Sequence, residues 1–540
     1  MKTTSPQTPV PPCGIPALPG PGSSHTWSAY QLAFYDHVAK GTGHTILLAR
    51  AGCAKTTSAV AALDYIKPGL KTLFVAFNTE IANELKKRVP NGVQASTIHS
   101  FGFMQIRRAL GQVDVDKKRV KNYIILENIL SKEDFNRTEW VASLVRTVGL
   151  AKGQLADSAK HIDSIMDDFE IDLNNAQADD EERAKDRTKF IAAVLSVLKH
   201  AANTSKHLPS CSFAKQPANQ IPMFKDCRGC NPVANLVDFD DMIWLPIVKK
   251  LRIAQFDNVL IDEVQDLTPA QIELCLLACA YPDGRITAIG DDRQELYGFR
   301  GANKALQKLT KRLNAKVMPL PVTYRCAHSI VAVANEFVPD LQAAPNAPAG
   351  YVHSTAWNQM VKLAGPGDFI LSRSNAPLIE LCMSFLSQGR RATIQGKDLA
   401  GNLISTIKRS KAKTVDAFLV YLDKWEAAEK RRMLSRKPVA GDTGAIEDKA
   451  TCLRTLCEGS DTLAEVTKRI ETLFADDDNT SRIVLSTTHK AKGLERDRVF
   501  VLRGTYGKLD SEEAENLYYV AVTRARETLH VVADKPKASA

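Results

Sequence analysis

Short, continuously apolar runs, each closed by a polar or small residue, recur along this 540-residue chain and restrict its architecture more than any bulk property does. Thr45-Ile46-Leu47-Leu48 is the first. Leu73-Phe74-Val75-Ala76-Phe77, Asn258-Val259-Leu260-Ile261, Ile286-Thr287-Ala288-Ile289 and Val499-Phe500-Val501-Leu502 follow. Runs this short and this apolar are strands buried on both faces, and the helical stretches between them supply the cover. The expected fold class is therefore α/β, with parallel sheets flanked by helices. One hydrophobic core stops growing well below this length, so about two to four domains are expected.

Residues 1–23 are rich in Pro, Gly, Ser and Thr and are expected to be a disordered tail. Two stretches interrupt the strand–helix alternation. Residues 104–231 read as mostly helical, with an acidic segment at Asp179-Asp180-Glu181-Glu182, and residues 399–480 read as helical with mixed charge. The second carries a basic cluster, Lys430-Arg431-Arg432 with Arg436 and Lys437. At that length it is a small module, near the lower limit for an independent core.

Bulk properties exclude more than they specify. No apolar run approaches the ~20 residues needed to cross a bilayer. The opening Met1-Lys2-Thr3-Thr4 has no apolar core of a signal peptide, so a location in the cytoplasm or nucleoid is expected. A net charge of +10 suits a polyanion partner without requiring one. Among the 11 cysteines, Cys227 and Cys230 form a CxxC with His207 and Cys211 upstream. These four supply either a zinc knuckle or simply a loop with two thiols, and the loose Cys211–Cys227 spacing leaves both open.

The segment from Ala49 to Thr57 follows a strand and opens a helix. That is the setting in which backbone N–H groups and a helix N-terminus surround phosphate. Gly52, Cys53 and Ala54 form the cradle, Lys55 reaches the terminal phosphates, the Thr56 hydroxyl ligates Mg²⁺, and Thr57 completes the turn. Ala49 and Ala54 stand where the general pattern has glycine. A second element, Asp262-Glu263-Val264-Gln265-Asp266, follows the run ending at Ile261. A carboxylate at a strand end holds a metal, and its neighbour orients and deprotonates water. Asp262 is assigned to Mg²⁺ and Glu263 to the base. The thiol of Cys53, beside Lys55 at a helix N-terminus, is either activated or merely small.

With these elements in order the chain resembles the UvrD/Rep-like superfamily 1 DNA helicases, leaning to the branch with F-box DNA helicases and phage relatives. The resemblance covers about residues 26–530, apart from the two helical stretches, and the remaining roles come from it. Trp27-Ser28-Ala29-Tyr30-Gln31 looks like the adenine-reading motif, with Gln31 on the base edge. Phe77 and Asn78, with Thr97 and His99, are implied DNA contacts, and Gly290 to Ala302 is similar to motif III, giving Gln294 to hydrolysis and Tyr297, Phe299 and Arg300 to DNA. Thr323-Tyr324-Arg325 resembles motif IV, with Tyr324 on adenine and Arg325 at the γ phosphate. Thr487, His489 and Glu495 lie in a motif V-like string, the first two toward DNA and Glu495 toward ribose. Arg524 is the implied γ-phosphate arginine, in a motif VI-like string where Asn516 replaces a common arginine.

The resemblance implies two RecA-like motor domains, each with a mainly helical insertion. The first spans 24–103 and 232–302 around the 104–231 insertion. The second spans 303–398 and 481–540 around the 399–480 insertion. The implied activity is ATP-dependent 3′→5′ translocation on single-stranded DNA and unwinding, with ATP and Mg²⁺ and with single/double-strand junctions as partners. An ATP-gated DNA-binding switch or assembly subunit is the alternative. The presence of Lys55, Asp262, Glu263, Gln294 and Arg524 together favours the motor.

Overall fold

The computed structural model describes residues 27–76, 78–90, 92–169, 171, 173, 180–203, 233, 235–296, 305–436, 443–474 and 481–535. The chain divides into two compact units. Among the described residues, one contains 27–49 and Lys55–Leu320, the other Arg50–Ala54 and the residues from Pro321 onward.

The first unit is built on a six-stranded sheet: β1 (Thr45–Ala49), β2 (Thr72–Ala76), β3 (Val93–Thr97), β4 (Asn258–Ile261), β5 (Arg285–Gly290) and β6 (Lys316–Leu320). Their spatial order is β3-β2-β4-β5-β1-β6. Every pairing is parallel, with Leu47 opposite Ile289 and Phe74 opposite Leu260. All residues of β2 and β4 are buried, which explains why both read as unbroken apolar runs. The sheet does not stop at residue 302, because Lys316–Leu320 pairs with β1 as its sixth strand.

The first helical stretch packs the helices Lys121–Ile129, Thr138–Gln154, Ala159–Asp168 and Asp180–Ala202. Trp140, Leu144, Val148, Ile162, Phe190 and Val194 form their core. Its two ends are tied by a short parallel pairing of Asp114–Val115 with Leu236–Val237. At its root lies a fully buried ionic network. Lys152 lies 2.7 Å from Asp238 and 2.8 Å from Asp241, and Lys121 lies 2.5 Å from Asp241. Burial alone would push the Lys152 pKa down, but Asp241 and Asp238 hold it above the ordinary lysine value. Such charges are tolerated only as a matched set, so the network pins the two lysine-bearing helices to the helix Asp241–Val248.

The second unit carries another six-stranded sheet: β7 (Tyr351–Thr355), β8 (Phe369–Ser372), β9 (Ala392–Ile394), β10 (Ile483–Thr487), β11 (Arg496–Leu502) and β12 (Ala525–Val532). The order is β7-β12-β11-β8-β10-β9, again all parallel. Between β9 and β10 run the helices Lys397–Ser410, Val415–Arg436, Gly444–Cys457 and Leu463–Leu473. Leu403, Phe418, Leu453 and Ile470 from these helices join Ile370, Leu378 and Leu485 in one hydrophobic cluster. The small insertion therefore shares the core of the second sheet instead of building its own. No helix among the described residues is long and apolar enough to cross a membrane.

Candidate functional site

Parallel sheets gather functional groups at the carboxyl ends of their strands. Beyond β1 the loop Arg50–Ala54 leads into the helix Lys55–Leu63. Two residues of the loop are left-handed, Gly52 at φ +70° and Ala54 at φ +56°. The first suits glycine; the second strains an alanine. We expect Ala54→Gly to raise the stability of the protein by up to about 1 kcal/mol, read as a higher melting temperature.

The two sequence elements meet at the ends of β1 and β4. Lys55 Nζ lies 3.0 Å from Glu263 Oε2, and Thr56 Oγ1 donates to Asp262 Oδ2 at 3.1 Å. Glu263 is also left-handed, at φ +51°, a conformation that turns its carboxylate toward Lys55 and away from the line of β4. Asp262 is 1% exposed, and burial together with the neighbouring Glu263 charge pushes its pKa up to about 6. A divalent cation would relieve that repulsion, and a hydroxyl with a carboxylate at this spacing is the hard-oxygen donor set Mg²⁺ takes.

A relay of hydrogen bonds continues outward from Glu263. Gln265 Nε2 donates to Glu263 Oε2 at 2.5 Å, while Gln265 Oε1 accepts from the Asp291 N–H at 3.2 Å. Gln294 Nε2 then donates to Asp291 Oδ2 at 2.9 Å. Gly290 is required here for space, since a Cβ on it would stand 2.4 Å from Gln265 Oε1. Glu263 is thus linked to Gln294 through the Gln265 amide and through the backbone N–H and carboxylate of Asp291, and neither Gln265 nor Asp291 was singled out from sequence. Gln31 is buried, with Nε2 donating to Ser58 Oγ at 2.9 Å and Oε1 accepting from the Ser28 N–H at 2.9 Å.

The DNA-assigned residues of the first unit follow β2 and β3. Asn78 caps the helix Thr79–Arg88 and Thr97 caps Ile98–Leu110, each accepting from an N–H three residues on. His99 lines a cavity of about 640 Å³ together with Arg119, Asn122, Arg146 and Phe239. Phe239 is 50% exposed and stands edge-on to His99 at 6.1 Å between centroids. Burial lowers the His99 pKa, which favours the neutral ring at neutral pH. Phe77, Tyr297, Phe299 and Arg300 lie outside the described residues, as do His207, Cys211, Cys227 and Cys230.

In the second unit Arg325 pairs with Glu495 and also donates to the Thr523 carbonyl at 3.3 Å. Arg524 is 1% exposed, and among the described residues its donors reach neutral oxygens: Val520 O at 2.9 Å, Leu494 O at 3.3 Å and Thr523 Oγ1 at 3.4 Å. Burial, with Arg325 nearby, pushes its pKa down to about 10, so it remains a cation at neutral pH. A buried guanidinium held by carbonyls and hydroxyls is a strong acceptor of an anion. In the same unit the Tyr324 N–H donates to the Gly52 carbonyl at 2.9 Å, and the Tyr324 ring is 46% exposed. The Cys53 thiol is buried and donates to Arg50 O at 2.8 Å.

Thr487 ends β10 and is buried, while His489, two residues on, is half-buried. Burial and the charges of Arg373 and Lys492 push the His489 pKa down to about 4. Arg373, which the sequence reading did not select, is exposed immediately beyond β8, the strand beside β10.

The family model for the UvrD/REP helicase N-terminal domain matches residues 34–314, more than half of the chain, and that for the UvrD-like helicase C-terminal domain matches residues 482–532. The chain belongs to the UvrD/Rep helicase family. Among its relatives, F-box DNA helicase protein 1 of Schizosaccharomyces pombe is 25% identical over 520 residues, 89% of this chain and 54% of that protein. DNA helicase IV of Escherichia coli is 24% identical over 320 residues, 56% of this chain and 46% of the relative. ATP-dependent DNA helicase Rep of E. coli is 26% identical over 321 residues, 54% and 41% respectively. The chain thus spans about half the length of these UvrD/Rep relatives.

In this UvrD/Rep chain the basic cluster of the second helical stretch is partly committed to its own carboxylates and carbonyls. Lys430 is committed to Glu426 at 2.7 Å and Glu447 at 2.9 Å, so it is not a free phosphate contact. Arg431 donates to the Ala427 carbonyl of its own helix at 3.2 Å.

Proposed function

We propose that this chain is an ATP-driven motor that moves 3′→5′ along single-stranded DNA, hydrolyses ATP to ADP and phosphate, and unwinds DNA at single/double-strand junctions. The observation that carries the proposal is the pairing of Lys55 with Glu263 and of Thr56 with Asp262 at adjoining strand ends. A phosphate-binding lysine, a metal-binding pair and a base within one hydrogen-bonded cluster make a complete hydrolytic set.

Thr56 and Asp262 would hold Mg²⁺, which supplies charge neutralisation on the phosphates. Lys55 binds phosphate in exchange for its contact with Glu263, and that exchange frees the Glu263 carboxylate to orient water and take its proton. Gln294, reached through Gln265 and Asp291, senses that change at the start of the DNA-assigned string Tyr297–Arg300. Arg325 and Arg524 are assigned to the γ phosphate and Tyr324 to the adenine. On the DNA side, Asn78, Thr97, His99, Thr487 and His489 are the assigned contacts. Phe77, Tyr297 and Phe299 would offer faces for bases to stack on, worth ~1–3 kcal/mol each. Phe239, beside His99, is added to the DNA contacts of the first unit, and Arg373, beyond the strand paired with β10, to those of the second.

Polarity has a direct test. A translocase moving 3′→5′ is expected to strip streptavidin from a 5′-biotinylated strand much faster than from a 3′-biotinylated one. The opposite preference would reverse the assigned direction while leaving the ATPase reading intact.

A further inference from the structure

The turn that carries Arg373 is held from outside by the small helical insertion. Arg373, Ser374 and Asn375 join β8 to the helix Ala376–Ser387, and Asn375 makes no side-chain cap to that helix. Asp448, on the helix Gly444–Cys457, caps it instead. Its carboxylate accepts from the Asn375 N–H at 2.9 and 3.0 Å, from Asn375 Nδ2 at 2.9 Å and from the Ala376 N–H at 2.8 Å. A carboxylate at a helix N-terminus is favoured by the dipole as well as by the hydrogen bonds. The other amides of the turn are also committed: Arg373 N–H donates to Thr505 Oγ1 at 3.0 Å and Ser374 N–H to Ser372 Oγ at 3.2 Å. The helix bearing Asp448 is anchored by Ala450, Leu453 and Leu456, all in the core shared with the sheet.

We propose that Asp448 is a positioning residue for the Arg373 turn, so that the small insertion sets the grip of the second unit on single-stranded DNA. This rests on the reading above that the surface around Thr487 and His489 faces DNA. Three observations support it. Arg373 directly follows Ser372, which pairs with Thr487 across β8 and β10. Asn375 gives the helix no side-chain cap of its own, and the Asp448 carboxylate takes that place. The insertion lacks a core of its own that would let it move as a separate body. The insertion then acts through the Arg373 turn, and its basic helix is secondary.

The test titrates the full chain with a thymidine oligonucleotide and follows ATP turnover for Arg373→Ala, Asp448→Ala, Asp448→Asn and the double alanine variant. Arg373→Ala and Asp448→Ala should each raise the half-saturating oligonucleotide concentration roughly tenfold. For Asp448→Ala the turnover at saturating DNA should stay within about twofold of native, separating KM from kcat. The double variant should be no worse than either single one, because both act through one turn. Asp448→Asn keeps an acceptor oxygen for the turn and should return half-saturation to within about threefold of native. An Asp448→Ala protein with native half-saturation, an effect confined to maximal turnover, or multiplicative losses in the double variant would overturn the positioning role alone. A native half-saturation in Arg373→Ala would instead overturn the reading that this surface meets DNA.

Discussion

Lys55→Ala is expected to lower ATP hydrolysis by roughly a hundredfold to a thousandfold, the scale on which a preorganised charge at a reacting centre is lost. The side chain makes two contacts in sequence, first with Glu263 at 3.0 Å and then, on the proposed reading, with phosphate. Removing it leaves Asp262 and Glu263 as adjacent carboxylates at a buried strand end without their cation, so repulsion adds to the lost phosphate contact. DNA binding should change little, because on the proposed reading the lysine meets phosphate and not the strand. Glu263→Gln separates the roles: ATP binding should persist through Lys55, Thr56 and Asp262, while turnover falls on a similar scale. Near-native turnover in Glu263→Gln, followed by phosphate release, would remove the base assignment.

Arg524→Ala is expected to have an effect at least as large, about a thousandfold or more, if its guanidinium meets the transferring phosphoryl group. Its position argues for that role. A buried arginine with neutral partners is costly to keep and adds little to stability by itself. Arg524→Lys should not restore activity, since a point charge cannot donate to Val520, Leu494 and Thr523 while also forking onto phosphate. Nucleotide binding measured separately should fall far less than turnover. Equal losses in both would make Arg524 a structural residue of the helix end.

The parts of the fold visible in sequence were those buried on both faces. Asn258–Ile261 is readable to the residue because Asp257 and Asp262 bound a wholly buried run. Strand β7, Tyr351–Thr355, gives no such signal: it lies at the sheet edge, mostly exposed, and its residues are mixed. Lys316–Leu320 is hidden for the same reason, at the opposite position in the first sheet, and it moves that sheet's end past residue 302. Helices in both long stretches were legible, but not that the second stretch shares its neighbour's core, since shared burial leaves no local pattern.

The site divides in a similar way. Asp262 and Glu263 follow β4 directly, and Lys55 and Thr56 follow β1 across the loop Arg50–Ala54, so their position is local information. The left-handed turn at Glu263 and the close approach that Gly290 permits come from tertiary packing. Asp448 and Asn375 are 73 residues apart, and a lone aspartate in a helix looks like any solvated charge. Phe239 sits between aspartates in Val237-Asp238-Phe239-Asp240-Asp241, where an exposed aromatic in an acidic string was the available signal.

The measurement that bears most directly on the proposed motor is steady-state ATP turnover of the native chain without nucleic acid, with single-stranded DNA and with single-stranded RNA. The account predicts Mg²⁺-dependent turnover that rises at least about tenfold with DNA and much less with RNA, since hydrolysis is linked to strand contact. Turnover indifferent to DNA, or none in either state from a protein that binds ATP, would contradict it and favour a DNA-binding switch.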